Sequence, residues 1–163
     1  MTVYTRWVAL KDDLTAIHEI EQQSFDDPWS KEEIESCLRQ RFMVGMVAII
    51  EGQIAGFMIY EFGKHHLRVI SLATATAFRR QGVATALIAR LTGKLSPGLR
   101  ERVSVEIREA NLDAQLFFKS QGFSAVHIVR KPYEGCDEDA YRMEYPLIRN
   151  FVSVNRISHL TER

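Results

Sequence analysis

Arg79-Arg80-Gln81-Gly82-Val83-Ala84 joins an extended apolar run, Val69 to Thr74, to a segment with helical spacing. After it Val83, Leu87, Leu91 and Leu95 fall at i, i+4, i+8 and i+12, one face of a helix. Read as R-x-x-G-x-A, the stretch is an anion-binding turn. Gly82 has no side chain to block a ligand, and Ala84 is small. A helix starting here presents unpaired N–H groups and the positive end of its dipole to a phosphate, with Arg79 and Arg80 adding full charge. The spacing is neither a P-loop nor a dinucleotide fingerprint, since no Gly-Lys-Ser/Thr and no G-x-G-x-x-G is present. On these six residues alone, a basic turn before a surface helix is an equally good reading.

A second stretch tips the balance. Val103-Ser104-Val105-Glu106-Ile107-Arg108 alternates as a strand does, and Asn111 to Ser120 reads as a helix stopped at Gly122. The order strand, R-x-x-G-x-A, helix, strand with Glu, Asn-capped helix, Gly-Phe resembles the GNAT superfamily of N-acetyltransferases. Pro28-Trp29-Ser30, Val105-Glu106-Ile107-Arg108, Asn111, Gln121-Gly122-Phe123 and Glu138-Asp139-Ala140 resemble, within it, the branch that acetylates ribosomal-protein N-termini. The resemblance covers roughly residues 3 to 147.

The bulk properties fit one domain. With 163 residues the chain can bury a core; apolar residues make up 46% and charged ones 26%. Acidic and basic residues balance at 21 each, so no global field favours nucleic acid or membrane as a partner. Cys37 and Cys136 form neither a disulfide framework nor a C-x-x-C, and two free thiols suit a reducing cytoplasm. No N-terminal segment resembles a signal peptide, and no run approaches the roughly 20 apolar residues of a spanning helix. His65 and His66 are adjacent, poor geometry for a metal, so a turn and no metal site are expected.

In chain order, strands are expected at 3–8, 43–50, 54–62, 67–74, 103–108, 124–131 and 139–147. Glu51-Gly52-Gln53 signals a hairpin between the second and third. A helical stripe runs through Leu14, Ile17 and Phe25 until Pro28 breaks it. Ser30 with Glu33 forms a capping box for a second helix through Ile34, Cys37, Leu38 and Arg41. Ser96-Pro97-Gly98 is expected to end the helix after the arginine motif. The sum is an α+β fold (mixed α/β) with a largely antiparallel twisted sheet flanked by helices, spanning residues 1–148. From Phe151 onward there is no clear period, and 149–163 reads as a loose tail or a short peripheral helix.

The resemblance implies a sheet splayed between its fourth and fifth strands, with acetyl-CoA in the gap. It implies that backbone N–H groups around Gln81, Gly82, Val83 and Ala84 hold the pyrophosphate beside Arg79 and Arg80. Leu72, Ala73 and Thr74 would line the pantetheine arm, an N–H near Thr74 serving the oxyanion. The usual pattern has Val at position 74 and Pro at position 76, but backbone donors do not depend on those side chains. Asn111 is a helix N-cap by its own chemistry and a contact to the CoA arm by resemblance.

Glu106 is the candidate general base. Alternation puts it with Ser104 and Arg108 on the face opposite Val103, Val105 and Ile107; the competing reading is a solvated carboxylate paired with an arginine. Phe118 stands at the cofactor position where this branch usually has a tyrosine acid, and it has no hydroxyl. A water, Tyr133 or Tyr141 would have to replace that donor, or the thiolate leaves unaided. Tyr133 and Trp29 are the substrate-side candidates, Tyr133 reading otherwise as a loop tyrosine and Trp29 as a packing residue. Glu138-Asp139-Ala140 reads as the structural start of the last strand. The function implied is acetyl transfer from acetyl-CoA to a protein N-terminal α-amine, a ribosomal protein being one candidate. The alternatives are a small-amine acetyltransferase and a catalytically weak acetyl-CoA-binding protein.

Overall fold

The computed structural model describes residues 2–147, so the expected tail at 149–163 lies outside the described residues. Seven strands form one sheet in the order β1-β2-β3-β4-β5-β7-β6. They are β1 Tyr4–Trp7, β2 Met43–Ile50, β3 Gln53–Phe62, β4 Leu67–Thr74, β5 Arg102–Arg108, β6 Ser124–Val129 and β7 Ala140–Pro146. The helices are α1 Leu10–Ser24, α2 Lys31–Leu38, α3 Val83–Thr92 and α4 Leu112–Ser120. Seven of the expected strand boundaries shift by a residue or two, as frayed ends do, and the α+β architecture is the expected one.

Local chemistry accounts for the elements. Glu51 and Gly52 both adopt positive φ, the conformation a two-residue hairpin loop needs to follow strand twist. Ser30 accepts from the Glu33 amide while Glu33 accepts from the Ser30 amide, so the capping box is complete and starts α2. One expectation is corrected: α3 ends at Thr92, not at Ser96-Pro97-Gly98. Gly93 weakens the helix there. The chain then tightens through i→i−3 bonds, Lys94 N–H to Leu91 and Leu95 N–H to Thr92, which still bring Leu95 onto the core.

The sheet separates two apolar layers. On one face Val83, Leu87, Ile88 and Leu91 of α3 and Phe118 of α4 pack against Met58, Tyr60, Leu67, Val69, Val103, Val105 and Ile107. On the other, Ile17 and Ile20 of α1 and Ile34 and Cys37 of α2 cover Val47, Phe57, Ile59 and Ala73. Cys37 is thus a core residue, as expected of a thiol on an apolar helix face.

Two features of β4 open the sheet. Tyr60 pairs with Val69 and Ile59 with Ser71, so Ile70 is an extra residue in β4, a bulge that bends the strand. Beyond that point β4 and β5 part. Their pairing, the parallel one in the sheet, covers Leu67↔Val103, Arg68↔Ser104 and Val69↔Val105 and stops there. Ile70–Thr74 of β4 and Glu106–Arg108 of β5 therefore diverge, giving the splay expected between the fourth and fifth strands.

Candidate active site

The arginine motif sits at the mouth of this opening. Ala75 N–H donates to Ala55 across β3, so by the two-residue alternation of a strand the backbone groups of Leu72 and Thr74 face away from β3, toward the gap, while Ala73 faces β3. A short 3₁₀ turn, Thr76–Phe78, leads out of β4 and is tied to α1, because Gln23 Oε1 accepts from the Thr76 amide at 3.3 Å. The chain then bends through Arg80 (φ 61°) and Gly82 (φ 79°). A left-handed arginine costs about 1–2 kcal/mol, and such strain gathers at ligand sites. Gly82 caps α3 with no side-chain bond, and a Cβ built on it would meet nothing within 4 Å. The first-turn amides of α3 thus face an open, side-chain-free approach flanked by exposed Arg79, Arg80 and Gln81. Val83 is buried and Ala84 half-buried behind them.

Gly56 fixes where this helix start lies. A Cβ there would come within 2.6 Å of Val83 Cγ1 and 2.8 Å of the Ala73 carbonyl oxygen. Only a residue without a side chain lets α3 close this far on β3 and β4.

Glu106 is the first residue of β5 beyond the last β4 rung. Val103, Val105 and Ile107 point into the α3–α4 core, so Glu106 projects from the opposite face, as alternation predicted. Arg142, directly across on β7, donates to Glu106 Oε1 at 3.1 Å. The arginine partner of the competing reading is therefore present, on a site that is itself at the opening. The Glu106 side chain is 28% exposed.

Tyr133 lies in the β6–β7 loop with the Arg108 guanidinium 4.0 Å from its ring centroid. Burial pushes its hydroxyl above the usual tyrosine range; Arg108 opposes this and Glu106 reinforces it. Tyr133 therefore stays protonated at neutral pH and within the field of Glu106. Tyr141 pairs with Ile107 and so lies on the other face. Glu138 anchors the loop, accepting from the Ala110 amide at 2.8 Å and pairing with Arg108, which gives it the structural role expected. Cys136 is half-buried beside Arg108 and Glu138.

Asn111 caps α4 by accepting from the Ala114 amide at 3.1 Å, which leaves its NH₂ without a protein partner among the described residues. Phe118 is only 5% exposed and stands edge-on to Phe117 and Phe123, with centroids 5.2 and 5.0 Å away. Its ring serves mainly the core and offers a ligand little surface. Trp29 packs at the edge of the α1–α2 layer, where its amide donates to Glu21 Oε1 at 3.0 Å. Among the described residues no group of His, Cys, Asp and Glu could hold a metal ion, and no helix is long and apolar enough to cross a membrane.

Sequence reasoning missed Arg142 and the bulge at Ile70. Arg142 had a partial signal: in Tyr141-Arg142-Met143-Glu144-Tyr145 the alternation puts Arg142 and Glu144 together on the face opposite Tyr141, Met143 and Tyr145.

The fold has counterparts among known proteins. Residues 12–123 match the Acetyltransferase (GNAT) family, and the chain belongs to it as an acetyltransferase. The chain is 32% identical over 114 residues to an N-alpha-acetyltransferase of Sulfurisphaera tokodaii, a match covering 62% of this chain and 68% of the relative. The ribosomal-protein-S18-alanine N-acetyltransferase from Escherichia coli superposes with a TM-score of 0.78 at 24% identity, over 92% of this chain and 97% of that one. Arabidopsis thaliana NAA60 in complex with acetyl-CoA gives a TM-score of 0.76 at 18% identity, covering 89% and 98%.

Proposed function

We propose that the protein transfers the acetyl group of acetyl-CoA to the N-terminal α-amine of a protein, with Glu106 as general base. The observation that carries this is the coincidence of three features at one opening: the parting of β4 and β5, the emergence of Glu106 one residue past the last rung, and the bare amides of α3. In this reading Gln81, Gly82, Val83 and Ala84 hold the pyrophosphate with Arg79 and Arg80. Leu72 and Thr74 line the arm with their backbone groups, the Thr74 N–H facing the thioester oxygen; Ala73, expected to join them, instead bonds to β3 and packs into the α1–α2 layer. Asn111 offers its free NH₂ to the arm, and Phe118 supports α4 and meets the cofactor only with its rim. Trp29 and Tyr133 border the peptide.

In the reaction the amine nitrogen bonds to the thioester carbon, the carbon–sulfur bond breaks, and the amine proton passes to Glu106 directly or through one water. An α-amine with a pKa near 8 costs only about 1 kcal/mol to deprotonate at pH 7, against about 4.6 for a lysine. A carboxylate is an adequate base for the first substrate and a poor one for the second. The thiolate, whose conjugate acid sits near 8.5, leaves with a proton from water or from Tyr133. The kinship with N-alpha-acetyltransferases supports a protein N-terminus as acceptor, and an exposed ribosomal-protein N-terminus in the cytoplasm is one candidate.

The absence of a hydroxyl at Phe118 favours one other reading, a catalytically weak acetyl-CoA-binding protein. Incubation with acetyl-CoA and a panel of N-terminal peptides, lysine peptides and small amines, read by mass spectrometry, separates the cases. Acetylated α-amines support the proposal. Acetylation confined to small amines or lysines refutes it, and tight CoA binding without product supports the weak binder.

A further inference from the structure

The sheet face that bears Glu106, from β3 and β4 across to β5, β7 and the loop before it, carries a row of paired charges. Glu61 is bound by Arg68, Glu144 by Arg102, Glu106 by Arg142 and Glu138 by Arg108. Each acid has one arginine, so the face is close to neutral at rest. Arg142 holds Glu106 through a single bond, Nη2 to Oε1, and its side chain is 43% exposed. A guanidinium carries five donors, so most of Arg142's remain open. Around it, His127 lies opposite on β6, Glu144 stands two residues on along β7, and Arg108 stands two residues on from Glu106. Glu144 is engaged by Arg102, and Arg108 by Glu138 and the Tyr133 ring. Among the described residues, the acids nearest Arg142 other than Glu106 thus already have arginine partners, Glu138 at 3.4 Å and Glu144 at a looser 3.8 Å.

In base catalysis, when the amine gives its proton to Glu106, the carboxylate becomes neutral and Arg142 loses its counter-charge as the nitrogen–carbon bond forms. A carboxylate supplied by the peptide would restore it. Consecutive Cα atoms are about 3.8 Å apart, so the side chains of the first two residues are those within reach of a guanidinium about 3 Å from the base.

We infer that Arg142 is a specificity-determining residue that selects protein N-termini carrying Asp or Glu at the first or second position. The inference rests on the α-amine reading above and deepens it. A charge-assisted contact at a half-exposed arginine favours acidic over neutral peptides by about three- to thirtyfold in kcat/KM, and basic peptides fall below both.

The test uses the full chain, acetyl-CoA and peptides differing only at positions 1 and 2 (Asp or Glu, Ala or Gln, Lys), with wild type, Arg142→Gln and Arg142→Glu. The expected order in the wild type is acidic, neutral, basic; Arg142→Gln brings the ratios near one, and Arg142→Glu reverses them in favour of Lys. The readout is a ratio within each variant, so a partly destabilised variant still reports, and the wild-type panel stands alone. Equal wild-type rates, a wild-type preference for Lys, or an acidic preference that survives charge reversal overturns the inference while leaving the α-amine reading intact. No acetylation of any peptide overturns both.

Discussion

Replacing Gly82 by Ala separates backbone strain from ligand approach. At φ 79° an alanine is strained by about 1–2 kcal/mol, and the stiffer unfolded chain offsets about 0.4–1 of that. A Cβ at this position meets nothing within 4 Å, so no clash adds to the cost. The net loss is about 1 kcal/mol, or about 2–4 °C in Tm for a chain of this size. Cofactor affinity behaves differently. The new methyl projects into the open side over the α3 amides, the proposed seat of the diphosphate, and losing one hydrogen bond to a charged group costs about 1.5–3 kcal/mol. CoA binding by calorimetry should therefore weaken roughly 10- to 150-fold. Gly52 supplies the matched control: its φ is 77°, its Cβ would also meet nothing within 4 Å, and it lies in the β2–β3 hairpin. Gly52→Ala should show the same thermal loss and unchanged CoA affinity. If both variants bind CoA within twofold of wild type, the pyrophosphate does not approach Gly82 and the reasoning fails.

Other perturbations test other parts. Glu106→Gln should lower kcat by about 10²–10⁴-fold with CoA affinity unchanged; a loss under fivefold removes Glu106 as the base. Phe118→Tyr buries a hydroxyl among Phe117 and Phe123 and should cost about 1–3 kcal/mol in a urea titration. Its turnover should rise less than tenfold, whereas a gain of several orders of magnitude would mean the acid has been lost rather than replaced. Gly56→Ala forces a methyl against Val83 and the Ala73 carbonyl, costing about 1–3 kcal/mol and weakening CoA binding through the displaced start of α3. Glu21 is 4% exposed, its Oε2 has no hydrogen-bond partner among the described residues, and burial raises its carboxyl above the usual range. Because the folded state favours the neutral acid, this group's contribution is full below the unfolded pKa of about 4.3 and is lost as pH rises through the folded one. The Tm of Glu21→Gln should accordingly gain on wild type between pH 4 and 7; a pH-independent difference would contradict the assignment.

Strand alternation made β5 and β7 readable, and Ser30 with Glu33 gave α2 its start, because these signals are local and repeat at a fixed period. The R-x-x-G-x-A turn was readable for the same reason: its glycine and arginines are neighbours in the chain. The bulge at Ile70 was not, since nothing in Val69-Ile70-Ser71 says that Tyr60 and Ile59 will skip a residue. The bond between Arg142 and Glu106 joins positions 36 residues apart and depends on β7 inserting between β5 and β6, an order that sequence spacing leaves open. Phe118 shows the limit of motif transfer. Its place in the pattern marked a cofactor position, while packing against Phe123 turned most of the ring to the core.

The seam between β4 and β5 has a practical consequence. Three rungs, the packing of α3 on Val103 and Val105, and Arg100, whose Nε donates to the Gly63 carbonyl at 2.6 Å, hold the β1–β4 half to the β5–β7 half. Cutting the connection near Pro97 would divide the chain into two fragments that each retain hydrogen-bonded strands. Such fragments should reassemble when co-expressed, and a nucleotide thioester wedged in the cleft should act as their molecular glue. The same polypeptide could thereby serve as a split reporter for its own ligand.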